Sequence, residues 1–160
     1  MGDPHAAPVR SAYTAGVGLI SAAENAFMGF QQSVYVRTDG RLGHRMIGVP
    51  TMLLRTKGRR TGQIRTAALV YARDGEELVL VASNHGYDRP PGWYFNIEAD
   101  PRVEAQVGRS RWGGSARVVG PEDPDYRRLW RLVNDNNHHR YEAYQTKTSR
   151  PISLIVVKPA

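Results

Sequence analysis

A chain of 160 residues can bury one hydrophobic core but is short for two, and its 22 Lys and Arg against 15 Asp and Glu leave a net charge of +7. That surplus fits an anionic partner without choosing among nucleic acid, a membrane surface and a phosphorylated cofactor. The absence of cysteine excludes disulfides, thiolate nucleophiles and Cys-ligated metals, and fits a reducing, cytoplasmic compartment.

Residues 1–13 are small, polar and Pro-containing, and are expected to form a disordered tail ahead of a single domain over 14–160. Asp3, His5 and Arg10, with no continuous apolar stretch around them, argue against a secretory signal, and no apolar run reaches the roughly 20 residues of a membrane helix. Val17, Ile20, Ala23, Phe27 and Phe30 recur at near-helical spacing and predict an amphipathic helix over Thr14–Gln32. Its polar face lacks basic residues, so it reads as a cover for the sheet; a weak contact with a membrane surface is the alternative.

From Pro50 the pattern shortens to β-like runs bounded by Gly, Pro and Asp. Strands are expected at Met52–Thr56, at Ile64–Tyr71 and, after a turn at Arg73-Asp74-Gly75, at Leu78–Ala82, which is apolar enough for burial on both faces. Val103, Ala105 and Val107 alternate with polar residues, Gly108-Arg109-Ser110 turns the chain, Trp112–Val119 returns, and Ile152–Val157 closes the set. Helical signals fall at Gly92–Ala99 and Asp125–Asn136, with a shorter turn near Arg140–Thr146. Six strands with short connections imply one antiparallel sheet closed into a barrel.

The densest charge feature lies between Arg41 and Arg73, where eight Lys or Arg stand with no acid. Lys57-Gly58-Arg59-Arg60-Thr61-Gly62 sits between two expected strands. There its glycines let backbone N–H groups turn toward an anion while guanidinium forks grip the oxygens. A solvated hairpin tip is the plain alternative. A P-loop is excluded, since GxxxxGK[ST] is missing and a strand follows. Nucleic-acid binding is not expected, because neither interleaved aromatics nor a recognition helix accompanies the patch.

The run LLRTKGRRTGQIRTAALVYARDGEELVLVASNHG, followed by PPGWYFNIEADPRVEAQVG, resembles the deazaflavin-dependent nitroreductase family over about residues 45 to 157. The family's landmarks stand here in order: a Thr-rich strand, G-R-[KR]-[ST]-G, a second strand, D-G, V-A-S, P-x-W-x-x-N and N/D-P. The resemblance implies a mainly β, six-stranded antiparallel split β-barrel of the FMN-binding-like type with flanking helices. It implies coenzyme F420 as cofactor, a deazaflavin with a phospholactyl and oligoglutamate tail. It also implies hydride transfer from the reduced deazaflavin to a quinone, a conjugated enone or lactone, or a nitro compound.

Carried over residue by residue, Arg59, Arg60, Thr61 and Arg65 match the family's phosphate loop. Ala67, Ala68, Leu69 and Val70 match the strand under the ring, Ser83 and Asn84 the loop at its polar edge, and Trp93 and Asn96 the helix closing the groove. His138, Tyr141 and Tyr144 are spaced i, i+3, i+6, which a helix would place roughly on one face; relatives carry three tyrosines there, lining the acceptor side. Ser83, Tyr141 and Tyr144 are thus the expected donors to the acceptor oxygen, with His138 a proton source whose ordinary pKa lies near neutrality.

Other chemistries find less support. His5, His44, His85, His138 and His139 make no metal-ligand spacing, so no metal site is expected; no GxSxG surrounds a serine, and Gly16-Val17-Gly18 lacks the third glycine and preceding strand of a dinucleotide fingerprint. FMN, whose phosphate also wants arginines, is the alternative cofactor, and a non-enzymatic flavin or deazaflavin carrier the alternative function.

Overall fold

The computed structural model describes residues 48–160, together with 26, 33, 34, 36–38, 45 and 46. The expected tail, most of the Thr14–Gln32 helix and His5 and His44 lie outside the described residues.

Among the described residues, eight strand segments form a single antiparallel sheet: β1 (Arg45–Met46), β2 (Val49–Lys57), β3 (Ile64–Val70), β4 (Ala72–Asp74), β5 (Glu77–Val81), β6 (Arg102–Val107), β7 (Ser110–Val119) and β8 (Leu154–Pro159). The order is β1-β2-β6-β7-β8-β5-β4, with β3 paired to the other side of β2. β3 and β4 belong to one stretch broken only at Tyr71. Its first half pairs with β2, from Thr51↔Val70 to Lys57↔Ile64, and its second half pairs with β5 at Ala72↔Val79. One stretch therefore joins both ends of the series, and the sheet curls into a barrel. The six expected strands are all present. Among the described residues the count rises to eight because β4 extends past the expected strand end at Tyr71 into residues expected to turn, and because the two-residue β1 adds a short pairing to β2.

Alternation along each strand sorts side chains between two cores. Met52, Leu54, Leu78, Leu80, Val103, Ala105, Ala116, Ile155 and Val157 fill the barrel interior with Tyr71. Val79, Val81, Val119, Leu154 and Val156 point outward against two helices, α2 (Tyr126–Asn136) and α3 (Arg140–Gln145). β5 is covered on both faces, as its unbroken apolar run predicts. Before these helices in the chain comes α1 (Gly92–Ala99), whose Trp93, Tyr94 and Ile97 pack onto the interior core.

Two polar ties fix the pieces. Gly75, with φ +62°, supplies the left-handed residue of the β4–β5 turn, and Asp74 beside it receives both guanidinium arms of Arg128 on α2 at 2.9 and 2.8 Å. The fully buried Asn134 joins α2 to α3, its Nδ2 donating to Trp130 O at 2.9 Å and its Oδ1 accepting from Glu142 N at 3.0 Å. No helix among the described residues is long and apolar enough to cross a membrane.

If the interior core carries the stability, Leu80→Ala should cost about 2–5 kcal/mol by cavity formation. Arg128→Ala, removing an exposed ion pair, should cost about 1 kcal/mol or less. Chemical denaturation of both variants checks the ordering.

Candidate functional site

The turn from β2 to β3 is more constrained than a hairpin tip needs to be. Gly58 N donates to Gln63 O and Gly62 N to Gly58 O, both at 2.7 Å. Gly62 adopts φ +69°, and a Cβ on Gly58 would stand 3.0 Å from Gln63 O, so both positions call for glycine. α1 holds this turn through one buried side chain. Asn96 Oδ1 accepts the Arg59 backbone N–H at 3.2 Å while its Nδ2 donates to Thr56 Oγ1 at 3.1 Å.

Between turn, β3 and α1 opens a groove of about 390 Å³ lined by Gly58, Arg59, Arg60, Thr61, Arg65, Thr66, Ala67, Gly92, Trp93 and Asn96. Arg55, Arg102, Arg117 and Arg128 each pair with a carboxylate. Arg59, Arg60 and Arg65 pair with none among the described residues. Three cations converging without counter-charge favour an anion from outside, and the volume lies in the range of roughly 300–1,000 Å³ usual for small-molecule sites. No cluster of His, Asp and Glu among the described residues could hold a metal ion.

Seven expected cofactor residues, Arg59, Arg60, Thr61, Arg65, Ala67, Trp93 and Asn96, are brought together here. The run Ala67–Val70 does not act as one wall. Ala67 is on the groove lining, whereas Ala68 packs on Leu53, Leu69 packs against the interior core and half-buried Val70 pairs with Thr51.

Ser83 and Asn84 lie in the loop that runs from β5 to α1. Asn84, His85 and Gly86 have successive positive φ of 45°, 56° and 82°, a costly conformation for the two that are not glycine. The neighbouring chain imposes it. Arg150 donates to Ala82 O at 3.1 Å, to Ser83 O at 2.8 Å and to Tyr87 O at 2.9 Å, and burial pulls its pKa below the usual arginine value. A Cβ on Gly86 would stand 2.5 Å from Tyr144 O, so α3 packs directly on this loop. The Ser83 hydroxyl, in a buried residue, makes no hydrogen bond among the described residues.

The acceptor-side set is not assembled as expected. His138 and His139 have φ of 52° and 57° and precede α3, which begins at Arg140, so His138 cannot share a helical face with Tyr141 and Tyr144 and is exposed. Tyr141 belongs to the outer core. Burial raises its phenol pKa, and its hydroxyl bonds to the Asn137 side chain. Half-buried Tyr144 keeps a place beside the Ser83 loop, its ring 5.7 Å from that of His85, which also meets Tyr87 at 6.4 Å. His85 and Tyr87 were not singled out by the sequence reading; their position just after Ser83-Asn84 was the available signal.

Residues 28–159 match the F420H(2)-dependent quinone reductase family. The chain belongs to that family. It is 52% identical over 126 residues, 78% of this chain and 85% of the relative, to an F420H(2)-dependent quinone reductase of Mycobacterium tuberculosis. A solved F420-H2 dependent reductase superposes with a TM-score of 0.62 at 32% identity, covering 68% of this chain and 94% of that one. A second solved chain, described as a domain-swapped dimer, gives 0.64 at 27% identity over 84% and 99%. Family membership decides for coenzyme F420 over FMN, and for an oxidoreductase over a carrier.

Asn96 is the side chain on which the groove's shape rests. Asn96→Ala should weaken F420 binding by about tenfold or more, the equivalent of one lost hydrogen bond. Asn134→Ala, an equally buried asparagine between α2 and α3, should lower stability and leave F420 affinity of the folded protein unchanged. Fluorescence titration beside thermal unfolding separates the two.

Proposed function

We propose that the groove holds F420 with its phosphate on the Gly58–Gly62 turn and its ring along Ala67 under Trp93, and that the acceptor enters over the Ser83 loop. The observation that carries this reading is the convergence of Arg59, Arg60 and Arg65 on one groove without carboxylate partners. Bound there in its reduced form, the deazaflavin supplies a hydride. The protein's own contribution is to bind, orient and exclude.

The three guanidinium groups grip the anionic tail, with Arg59 further fixed through Asn96. Small Ala67 leaves room for a flat ring to approach β3, and half-buried Trp93 covers it. Negative charge would develop on the acceptor oxygen as a hydride arrives, and the Ser83 hydroxyl, uncommitted among the described residues, is the donor we assign to stabilise it. Tyr144, with His85 and Tyr87, forms an aromatic wall suited to a planar acceptor, so quinones and conjugated enones fit ahead of nitro compounds. Tyr141 serves packing and His138 is not positioned to act with the tyrosines. A cysteine-free chain of this kind works in the cytoplasm.

Three substitutions test the division of labour. Replacing Arg60 and Arg65 together by Ala should raise the F420 Kd by about 10- to 100-fold; an unchanged Kd would return the turn to a solvated hairpin tip. Ser83→Ala should lower kcat/KM for a quinone by about tenfold or more with F420 affinity unchanged. Tyr141→Phe, which keeps the ring but loses the buried hydroxyl, should lower stability by about 1 kcal/mol and leave turnover of the folded enzyme as it was. Steady-state kinetics and unfolding curves on the same samples decide.

A further inference from the structure

The loop after β5 is gripped by a single side chain that reaches it from another segment. Arg150, between α3 and β8, is half-buried and pairs with no carboxylate among the described residues; its donors go to main-chain oxygens instead. Its Nε donates to Tyr87 O at 2.9 Å, and its Nη2 donates to Ala82 O at 3.1 Å and to Ser83 O at 2.8 Å. The Ala82 carbonyl lies in the peptide plane that precedes Ser83, and the Ser83 carbonyl in the plane that follows it. One nitrogen therefore ties both planes that meet at the Ser83 Cα, and the direction of the Cα–Cβ bond follows from them. Gly86 N gives Ser83 O a second donor at 2.9 Å, and Ala82 N donates to Ser153 O at 3.0 Å, so the backbone is engaged on both sides of Ser83. The guanidinium is itself anchored. Arg150 O accepts from Gln145 Nε2 on α3 at 2.9 Å, Arg150 N donates to Thr148 Oγ1 at 3.3 Å, and Thr148 Oγ1 donates to Asp88 Oδ1, farther along the loop, at 2.8 Å.

We propose that Arg150 is a positioning residue for the reaction, which aims the Ser83 hydroxyl at the acceptor by setting the two peptide planes at Ser83. The inference rests on the reading of Ser83 as the donor to the acceptor oxygen. Two features favour it over a tie that serves stability alone. Arg150 grips the chain at both ends of the left-handed run, where the non-glycine residues Asn84 and His85 hold the costly φ values of 45° and 56°. A connection from β5 to α1 needs no such conformation, and its retention points to the site. The groove lining also includes no residue of 82–91, so the grip acts on the loop and leaves the cofactor groove alone.

The test is a double-mutant cycle on menadione reduction at saturating reduced F420, with wild type, Ser83→Ala, Arg150→Ala and the double variant. Fluorescence titration gives the F420 Kd of each sample and thermal unfolding its folded state. Arg150→Ala is expected to lower kcat for menadione by about five- to tenfold, with the F420 Kd within about twofold of wild type. On the Ser83→Ala background the same substitution should lower kcat by less than about twofold, because the hydroxyl it aims is already gone. Added guanidinium ion, at concentrations that leave wild-type unfolding unchanged, should restore part of the Arg150→Ala rate and none of the Ser83→Ala rate. Arg150→Lys keeps the charge without the planar fork and supplies a folded sample should the Ala variant unfold; it is expected to lose kcat with the same dependence on Ser83. Independent, multiplicative losses in the double variant, or a folded Arg150 variant that turns over at the wild-type rate, would overturn the positioning role. Unchanged turnover in Ser83→Ala would instead strike the reading of Ser83 as the donor, and the inference with it.

Discussion

Like charges held close in a groove repel, and among the described residues Arg59, Arg60 and Arg65 lack the carboxylate partners that Arg55, Arg102, Arg117 and Arg128 have. This uncompensated charge is the constraint around which the site is arranged. The protein tolerates it because the groups are exposed to water until a ligand arrives, and an anion entering the groove releases the repulsion as it binds. The two glycines give the turn its shape, and Asn96 fixes that shape to α1 by accepting one backbone N–H of the turn while donating to Thr56 on the adjoining strand. The shape of the turn thus depends on the packing of a helix.

The barrel supplies the rigidity this needs. Because Ile64–Asp74 pairs with β2 and then with β5, the strand that floors the groove is anchored at both ends of the sheet series. α1 sits on the interior core through Trp93, Tyr94 and Ile97, so the wall of the groove is also a cover for that core. On the other side, α2 and α3 bury the outward faces of β5 and β8, and α3 meets the loop after β5 through the close approach of Gly86 to Tyr144. Arg150 completes that support by holding three carbonyls of the same loop. The left-handed run at Asn84–Gly86 is thus held from outside the loop.

Much of this was legible in the sequence, and where it was not, the reasons are physical. The strands declare themselves through period-two alternation, and β5 through its loss, since it is the strand covered on both faces. α1 was read to the residue, at Gly92–Ala99, because prolines and glycine mark its start. The β2–β3 turn stands out as charge bounded by glycine. Treating Ala67–Val70 as one wall carried a block of sequence onto a groove whose lining on this strand ends at Ala67. Placing His138 with Tyr141 and Tyr144 assumed that helical spacing means a helix, whereas left-handed residues at His138 and His139 interrupt it. Tyr141 cannot be told from a site tyrosine by spacing alone; its burial among Val79, Val133 and Ile152 is a tertiary fact. The contacts of Arg150 with Ala82, Ser83 and Tyr87 join distant segments and leave no periodic trace.

The central claim is that unpaired arginines on the β2–β3 turn bind the anionic part of F420. The most direct measurement is the F420 dissociation constant of the unaltered protein across an ionic-strength series at constant pH. The account predicts that affinity falls steadily as salt rises, because exposed charges separated by more than a Debye length of about 8–10 Å at near-physiological salt are screened and those in contact with the ligand must compete with added anions. An affinity that stays constant over the series would contradict it, placing the binding energy in the ring and the apolar wall instead of the turn.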